Sequence, residues 1–417
     1  MVHPWADFND LDTHHYPTYL TGVARFTNGY KVFMPTEFMH AMYDQGGGAG
    51  LRDFWDRWCT NPLFAGGFIW VYCDEAPKRS DKGGILDSDK SNAPDGVVGP
   101  RREKEGSYYA IRAQWSPIQL KPLLITNHFD GSFLLTNEYT FTNLKECRMT
   151  YKVLSCGTPL KGDAEAGKVI AEGKVQLPSI NPGETGTARF ELPDSFREGD
   201  VLELEAFDRE GKSICNWTYP IHLAKQYFER NLSQTTLTPA PQKAEARQTS
   251  DAIELKSSIV SITFDAATGM IRHIKSGETE IPFKDGPVAV GMKMRYEPSL
   301  SYTRHSSDGA IYCAKYKGAA DSIVWRLTNE GLLYMDAILL NRGSGGGGFD
   351  DAFMDAQIFN LGLSFSYPEQ NCSGMKWMGR GPYRVWKNRI PGTNCGIWHK
   401  DYNNTITGES FENLIYP

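Results

Sequence analysis

The first 120 residues alternate short apolar runs with apolar residues at helical spacing. One apolar run covers residues 32–34, and a longer one covers residues 64–71. Between them, apolar residues at positions 51, 54, 55 and 58 fall on one face of a helix that we expect to end at Pro62. Strand, helix and strand at this spacing indicate a βα repeat. Two or three such units fit into this length, whereas a closed barrel needs eight. We therefore expect residues 1–120 to form an incomplete part of a barrel.

From residue 121 to residue 228 the pattern changes to short strands separated by turns. Alternation of apolar and polar residues predicts strands at residues 133–137, 139–143, 148–153, 188–192 and 201–206. Turn sequences at residues 181–183 (Asn-Pro-Gly) and 208–211 (Asp-Arg-Glu-Gly) separate them. Short strands and frequent turns over about one hundred residues are typical of an immunoglobulin-like β-sandwich.

Residues 229–250, rich in Thr, Pro, Gln and Ala, are interpreted as a linker, and a second β-rich region follows at residues 251–417. There the pattern predicts strands at residues 259–264 and 270–274 around a turn at residues 265–269, and a mobile glycine-rich loop at residues 343–348. The predicted fold class is multidomain, α/β plus all-β. It comprises the C-terminal part of a TIM (β/α)8 barrel, an immunoglobulin-like β-sandwich, and a larger β-sandwich that we expect to be truncated.

Composition excludes some classes of function. The chain has 417 residues, 40% of them hydrophobic and 23% charged, which is ordinary for a soluble globular protein. A net charge of -6 argues against a nucleic-acid partner, because binding a polyanion needs a clustered basic surface. The sequence has neither the ~20-residue apolar run of a membrane span nor the basic and apolar start of a signal peptide. We expect a soluble protein and leave its compartment open between periplasmic, secreted and cytoplasmic.

Cysteine and aromatic content change this picture little. The chain has eight cysteines, and no two have C-x-x-C spacing, so we predict free thiols and no zinc ribbon. Aromatic residues make up 12% of the chain, which suits sugar binding but also suits the cores of large β-sandwiches.

Two residues at strand ends are candidates for chemistry. Glu37 follows the apolar run 32–34, and Trp70 ends the run 64–71. A barrel enzyme displays its reacting groups at the carboxyl ends of successive strands. The alternatives are that Glu37 is an exposed carboxylate and that Trp70 belongs to the core. A metal site at His14 and His15 is disfavoured, because adjacent side chains on a strand point to opposite faces.

Four blocks carry a resemblance to a known family, and they occur in the order in which that family has them. They are residues 12–19 (DTHHYPTY), 37–42 (EFMHAM), 66–74 (GGFIWVYCD) and 377–383 (WMGRGPY). This set resembles glycoside hydrolase family 2, the β-galactosidase family. The resemblance covers nearly the whole chain.

The resemblance implies a retaining exo-β-glycosidase, with β-galactosidase activity favoured. Glu37 matches the nucleophile, which forms a covalent glycosyl-enzyme. Tyr19 matches a tyrosine that hydrogen-bonds the nucleophile; Tyr16 competes for this role, and the Pro-x-Tyr spacing favours Tyr19. His40 matches a histidine that contacts sugar hydroxyls, and Trp70 matches the aromatic platform of the sugar pocket. The implied substrate is a β-galactoside or a related β-linked oligosaccharide.

The resemblance also has departures. Asp95 stands where β-galactosidases usually have an Asn that binds a sugar hydroxyl and a monovalent cation, so galactose preference is open. The family's acid/base Glu and its Mg²⁺ ligands match no residue here and would precede residue 1. We therefore expect a fragment with little activity alone and no firmly assigned cofactor, although the parent enzyme could bind Mg²⁺ and a monovalent cation. Oligomerisation is left open.

A rival interpretation from a different class remains. Two β-sandwiches could form a non-catalytic carbohydrate-binding or scaffold protein. In that case the sandwiches would fold independently of residues 1–120.

Overall fold

The fold was analysed in a computed structural model. It describes residues 10–18, 30–41, 48, 50–87, 95–157, 167–234, 242–290, 294–318, 320–339, 362–383, 385 and 390–403. The chain divides into two compact units, one formed by Met1–Leu232 with Gly374–Pro417 and the other by Ser233–Ser373. In the described part of the chain, no helix is both long and apolar enough to span a membrane.

The N-terminal part of the first unit consists of short extended segments and two helices. The elements are β1 Leu11–Asp12, β2 Val32–Phe33, α1 Leu51–Trp58, β3 Lys78–Arg79, β4 Ile85–Leu86 and α2 Gly106–Gln114. Strand β1 pairs with β2 in parallel. Single parallel bridges join Phe33 to Phe64 and Cys73 to Val98, which adds two further segments. The segments of Phe33 and Phe64 are parallel neighbours connected through α1, which is the arrangement that the βα pattern predicts. The described residues contain no closed barrel.

Helix α1 packs on these segments through the face that its spacing predicts. Leu51 and Trp58 are fully buried in a cluster with Phe33 and Phe38. The Trp58 ring meets Phe38 edge-on, with ring centroids 4.9 Å apart. This apolar contact holds the helix beneath the segment that follows β2.

Residues 118–220 form an antiparallel β-sandwich, as the turn-separated strands predict. Its strands are β5 Ile118–Leu120, β6 Ser132–Asn137, β7 Arg148–Ser155, β8 Lys168–Val175, β9 Thr185–Arg189, β10 Val201–Phe207 and β11 Ser213–Pro220. One sheet has the order β5-β6-β9 and the other β11-β10-β7-β8. Leu135, Met149 and Leu204 are completely buried in the core between the two sheets. Helix α3, Ala224–Gln234, follows.

One strand prediction in the sandwich is wrong. Residues 139–143 form no strand; a short 3-10 helix follows them at Leu144–Glu146. The cause is the buried Asn137, whose amide nitrogen donates to the carbonyl oxygens of Thr142 and Ile180, both at 2.9 Å. Its side-chain oxygen accepts from the Tyr139 N–H at 2.9 Å. These local bonds turn the chain where alternation alone would extend it.

The second unit is also built from antiparallel sheets. Its strands are β12 Glu245–Gln248, β13 Ala252–Lys256, β14 Val260–Asp265, β15 Ile271–Ser276, β16 Thr279–Ile281, β17 Lys284–Val290, β18 Met294–Ser306, β19 Gly309–Gly318, β20 Ala320–Thr328, β21 Leu333–Leu339 and β22 Gly362–Ser366. Strands β12 to β16 form one sheet in chain order, β18 to β21 form another, and β17 pairs with β22. Apolar residues of the two larger sheets share one core.

The turn predicted at residues 265–269 is confirmed, since the Gly269 N–H donates to the Asp265 carbonyl at 2.7 Å. The glycine-rich stretch 343–348 lies outside the described residues.

The last two strands, β23 Gly374–Gly381 and β24 Asn394–Asp401, form a hairpin that belongs to the first unit. The sequence pattern had grouped both strands, as part of residues 251–417, with the second β-rich region. The hairpin is fixed by polar contacts, because the Cys395 N–H donates to the Thr218 hydroxyl at 2.7 Å. Strand β12 falls inside the predicted linker 229–250. As an edge strand that pairs only with β13, it carries mostly exposed polar residues and so lacks an apolar signal.

Candidate active site

Glu37 lies just beyond the end of β2, between two neighbouring segments. A parallel bridge joins it to His15, and its carbonyl oxygen accepts from the Tyr16 N–H at 2.7 Å. On the other side, the Phe38 N–H donates to the Phe68 carbonyl at 3.2 Å. Gly67 allows this close approach, because a Cβ there would lie 2.8 Å from the ring of Pro35. The side chain of Glu37 is partly exposed, so a ligand can reach it.

Tyr16 is the tyrosine that the structure places beside Glu37. Its hydroxyl oxygen lies 2.7 Å from His40 Nε2, and its ring stacks on the His40 ring with centroids 5.2 Å apart. Burial raises the pKa of Tyr16 above its usual range, and the hydrogen bond to the Glu37 carboxylate and the negative charges of Glu37 and Asp95 raise it further. The phenol therefore keeps its proton at neutral pH and acts as a hydrogen-bond donor.

His40 connects Tyr16 to a buried carboxylate. Its Nδ1 lies 2.8 Å from Asp95 Oδ2, and a carboxylate only accepts, so Nδ1 carries the proton of this bond. The second oxygen, Asp95 Oδ1, is buried without a hydrogen-bond partner. An orphaned carboxylate oxygen is a suitable ligand for a hard cation. The described residues contain no group of three His, Cys, Asp or Glu that could hold a metal ion.

His15 also lies beside Glu37. Its Nε2 is 3.6 Å from Glu37 Oε2, and its Nδ1 is 3.2 Å from the Thr36 hydroxyl oxygen. The Tyr16 ring meets the His15 ring edge-on at 4.8 Å. Two histidines thus flank the carboxylate, one in contact with it and one reached through Tyr16.

The backbone of Trp70 lies beside the residues that follow Glu37. A parallel bridge joins it to His40; its N–H donates to the Met39 carbonyl at 2.9 Å, and its carbonyl accepts from Ala41 at 3.2 Å. The neighbouring aromatic residues at alternate positions, Phe68 and Tyr72, are 59% and 64% exposed. This segment therefore presents aromatic surface next to the candidate site.

Asp74 supports the loop that carries Asp95. Burial raises its pKa to about 7, partly offset by the hydrogen bond from the Gly96 N–H at 2.7 Å. A side chain at Gly96 would not fit, because its Cβ would lie 2.4 Å from the Asp74 backbone nitrogen. Asp74 and Gly96 together fix the position of Asp95 relative to His40.

The structure places four of the residues selected from the sequence in one region: Glu37, His40, Trp70 and Asp95. Tyr19 lies outside the described residues, so its role stays a prediction. Sequence reasoning did not select His15. The β1–β2 register, carried forward, brings His15 opposite Thr36, and the bridge from His15 to Glu37 is shifted by one residue from it.

Known proteins resemble this chain over different parts of its length. Residues 133–215, most of the β-sandwich, match the family described as "Beta-galactosidase, domain 4". A β-galactosidase of Actinobacillus pleuropneumoniae is 25% identical over 195 residues, which cover 43% of this chain and 19% of that protein. A β-galactosidase of Pseudoalteromonas haloplanktis is 19% identical over 420 residues, covering 89% and 39%. The chain thus spans at most 39% of the length of these two relatives.

Solved structures add little. The exo-chitosanase CsxA of Amycolatopsis orientalis aligns with 70% of this chain and 34% of its own at 9% identity, but its TM-score of 0.19 supports no argument about the fold. The curated relatives are described as β-galactosidases, which confirms the resemblance of this chain to the β-galactosidases of glycoside hydrolase family 2.

Proposed function

We propose that the region around Glu37 is the nucleophile side of the active site of a retaining exo-β-glycosidase, with a β-galactoside as the favoured substrate. The observation that carries the proposal is the partly exposed Glu37 carboxyl group just beyond the end of β2, 3.6 Å from His15 Nε2 and with Tyr16 beside it. A retaining glycosidase needs an ionised carboxylate held in a fixed orientation at the face of the sugar ring.

In this mechanism the Glu37 carboxylate attacks the anomeric carbon and forms a glycosyl ester, which water then hydrolyses. The Tyr16 hydroxyl has one proton, which either His40 Nε2 or the Glu37 carboxylate can accept, and we propose that it protonates the carboxylate as the sugar leaves. We propose this role for Tyr16 because of its contacts; Tyr19 remains the candidate from motif spacing. A second carboxyl group, ~5–5.5 Å away, must donate a proton to the leaving oxygen. We assign that role to none of the described residues.

Asp95, His40 and Trp70 are proposed to bind the sugar. Asp95 fixes His40 through Nδ1, which leaves Nε2 on the side of Tyr16 and Glu37. Asp95 Oδ1 would be the ligand for a monovalent cation, which when bound would offset carboxylate charge and coordinate a sugar hydroxyl. A carboxylate lacks the amide donor of an Asn, so hydroxyl selectivity at this position would differ from that of an Asn-containing site.

The test is mechanism-based labelling of the purified 417-residue protein with a 2-deoxy-2-fluoro-β-galactosyl donor that carries an activated leaving group. Such a group leaves without protonation, so labelling does not depend on the acid/base residue. We expect the glycosyl mass to be added to the peptide that contains Glu37, and Glu37→Gln to abolish it. The exposed neighbour Glu75 supplies the control, and Glu75→Gln should label like the unmodified protein.

A second candidate is a non-catalytic carbohydrate-binding or scaffold protein. It is favoured by one observation, that the family match falls within the sandwich and not around Glu37. Under this alternative the donor adds no mass, while calorimetry with galactosides still detects binding that Glu37→Gln leaves unchanged. Label at a carboxylate other than Glu37 would refute the assignment of the nucleophile.

A further inference from the structure

We propose that a groove on the solvent-facing side of the second unit binds a saccharide that carries one anionic group. The lining residues fall within residues 254–263 and 273–280, on strands β13 to β16 and the turns between them, and the groove encloses about 610 Å³. Small-molecule sites span about 300–1,000 Å³, so the groove has room for a mono- or disaccharide. The lining belongs to the second unit and Glu37 to the first, so this site would be independent of the proposed role of Glu37.

Alternation along the strands separates the groove from the core. Ile253, Leu255 and Ile262 are completely buried in the core that the two larger sheets of the unit share. Successive side chains of a strand point to opposite faces, so the residues that alternate with these three lie on the outer face. That face carries charged and hydroxyl side chains, which the strand register arranges in two rows.

The first row has a lysine on either side of a hydroxyl. Ser261 on β14 stands directly opposite Lys256 on β13 and Lys275 on β15, and all three line the groove. Neighbouring strands lie about 4.8 Å apart, so the backbones of the two lysines are about 10 Å apart with Ser261 midway between them. An anionic group above Ser261 is therefore within reach of both ammonium groups and can accept from the hydroxyl.

The protein does not use these groups itself. Each lysine has an acidic residue opposite it on the next strand, Glu245 for one and Glu280 for the other, yet neither lysine forms an ion pair with any described residue. Glu280 Oε1 instead lies 3.1 Å from His273 Nδ1. The Ser261 hydroxyl likewise has no hydrogen-bond partner in the described part of the chain. The first row thus offers two ammonium groups and a hydroxyl to a ligand.

The second row supplies partners for sugar hydroxyls. Thr263 on β14 stands opposite Glu254 on β13 and His273 on β15. The Thr263 hydroxyl can donate and accept, and the Glu254 carboxylate accepts, so both can bond to hydroxyl groups of a ligand. Glu254 and the neighbouring Glu278 would repel further negative charge, which favours a ligand with a single anionic group over a polyanion.

The lining also favours a saccharide over a nucleotide. Its described residues include two aliphatic side chains, Ile259 and Val260, but no Phe, Tyr or Trp on which a base could stack. Hydroxyl, carboxylate and ammonium groups make up most of the remainder. A ligand that presents hydroxyl groups along one face and an anionic group at one end matches this arrangement.

The first test is methyl NMR of the isoleucine side chains in the 417-residue protein, with galactose 6-sulfate, galacturonate and galactose as probes. Ile259 lines the groove and is 41% exposed, so its methyl signal reports a ligand there. We expect both charged sugars to shift this signal, the tighter one identifying the preferred anion, and galactose to need about a hundredfold higher concentration, since two charged contacts are missing. The exposed Ile338 on β21 is the control and should not shift. An Ile259 signal that neither charged sugar moves would overturn the proposal.

Calorimetry with single variants assigns the two rows. We expect Lys256→Gln and Lys275→Gln each to weaken binding of the charged sugar about tenfold, because each removes a hydrogen bond to a charged group. Thr263→Val should weaken it about threefold and leave binding of inorganic sulfate unchanged, because it removes a partner of a sugar hydroxyl. Lys315 on β19 is exposed and outside the groove, and Lys315→Gln should bind like the unmodified protein.

Three results would contradict this site. Lysine variants that bind the charged sugars normally would remove the anionic contact. Inorganic sulfate that binds as tightly as galactose 6-sulfate would refute the saccharide. Binding that is lost in Glu37→Gln would place the charged sugar at the proposed active site instead. Failure of mechanism-based labelling at Glu37 would refute the glycosidase proposal and leave the groove standing.

Discussion

The β-sandwich of residues 118–220 and the parallel segments of residues 10–115 are built in opposite ways within one compact unit. The sandwich has antiparallel strands of up to eight residues and an extended apolar core around Leu135 and Met149. The parallel region has strands of two residues joined by single bridges. Its apolar contacts centre on α1, to one side of Glu37.

The two regions differ most in what they bury besides apolar groups. The parallel region buries four carboxylates among its described residues: Asp12, Asp74, Asp95 and Glu105. The sandwich buries one, Asp200, which accepts from the Cys156 N–H at 2.7 Å and pairs with Arg230. Burying a charge costs free energy unless it is compensated. The comparison indicates that apolar burial in the sandwich stabilises the fold. In the parallel region, burial of carboxylates costs free energy and holds polar groups in place.

The largest effect should come from the core of the sandwich. Leu135→Ala removes a fully buried side chain, and we expect a loss of about 2–5 kcal/mol in the free energy of unfolding. The control is its neighbour on the opposite face of β6, Leu134, which is 47% exposed. Leu134→Ala should cost much less. Chemical denaturation measures the free energy of unfolding of both variants. Equal losses would contradict the comparison, because the stability of the sandwich would then not depend on its buried core.

A smaller effect is expected where the C-terminal hairpin meets the parallel region. Gly392 has φ 82°, and a Cβ there would lie 2.3 Å from the backbone nitrogen of Ala110 in α2. We expect Gly392→Ala to cost about 2–4 kcal/mol, from the left-handed backbone and from overpacking together.

The matched control is Gly183 in the sandwich, with φ 80° and open space around its Cβ. Gly183→Ala should cost only the backbone part, about 1–2 kcal/mol. Thermal and chemical unfolding of the two variants separate the cost of the left-handed backbone from the cost of overpacking. If Gly392→Ala were no worse than Gly183→Ala, the packing of the hairpin on α2 would be in doubt.

The contrast between the sandwich and the parallel region also explains how much of the fold could be predicted from the sequence. Period-two alternation located most strands of the sandwich, because each strand has one buried and one solvated face. It failed at residues 139–143, where the side chain of Asn137 replaces backbone pairing. It also missed β12, because an edge strand with polar faces has no apolar signal.

The candidate site depended on a different kind of information. Glu37, His40, Trp70 and Asp95 were selected through motif resemblance, since periodicity carries no chemical signal. His15 and the contact of Tyr16 with Glu37 depend on the register between parallel segments, which are far apart in sequence. A sequence motif within one segment carries no information about the register between that segment and its neighbours. Spacing within the block favoured Tyr19, which lies outside the described residues, so its role stays a prediction beside the observed position of Tyr16.

The pH dependence of stability should distinguish the two regions most finely. Burial raises the pKa of Asp74 to about 7, above the ordinary value of 3.8 that we take for the unfolded chain. The folded protein therefore binds this proton more tightly, and the resulting stabilisation is complete below pH 4 and lost as pH rises through 7. Relative to Asp74→Asn, whose amide oxygen can still accept from Gly96, the unmodified protein should lose about 3 kcal/mol between pH 4 and 7.

Asp130, at the edge of the sandwich, should behave with the opposite sign. The N–H of Ser132 donates to its carboxylate at 3.0 Å and lowers its pKa. Its small stabilisation is present above the unfolded pKa and lost as pH falls, so Asp130→Asn should be less stable than the unmodified protein near neutral pH and should match it at acid pH. Urea titrations of both variants from pH 3 to pH 8 check the two signs. If the stability of Asp74→Asn followed that of the unmodified protein from pH 3 to pH 8, the Asp74 carboxylate would be better solvated than its burial implies. The free-energy cost of burying carboxylates in the parallel region would then be smaller than the comparison indicates.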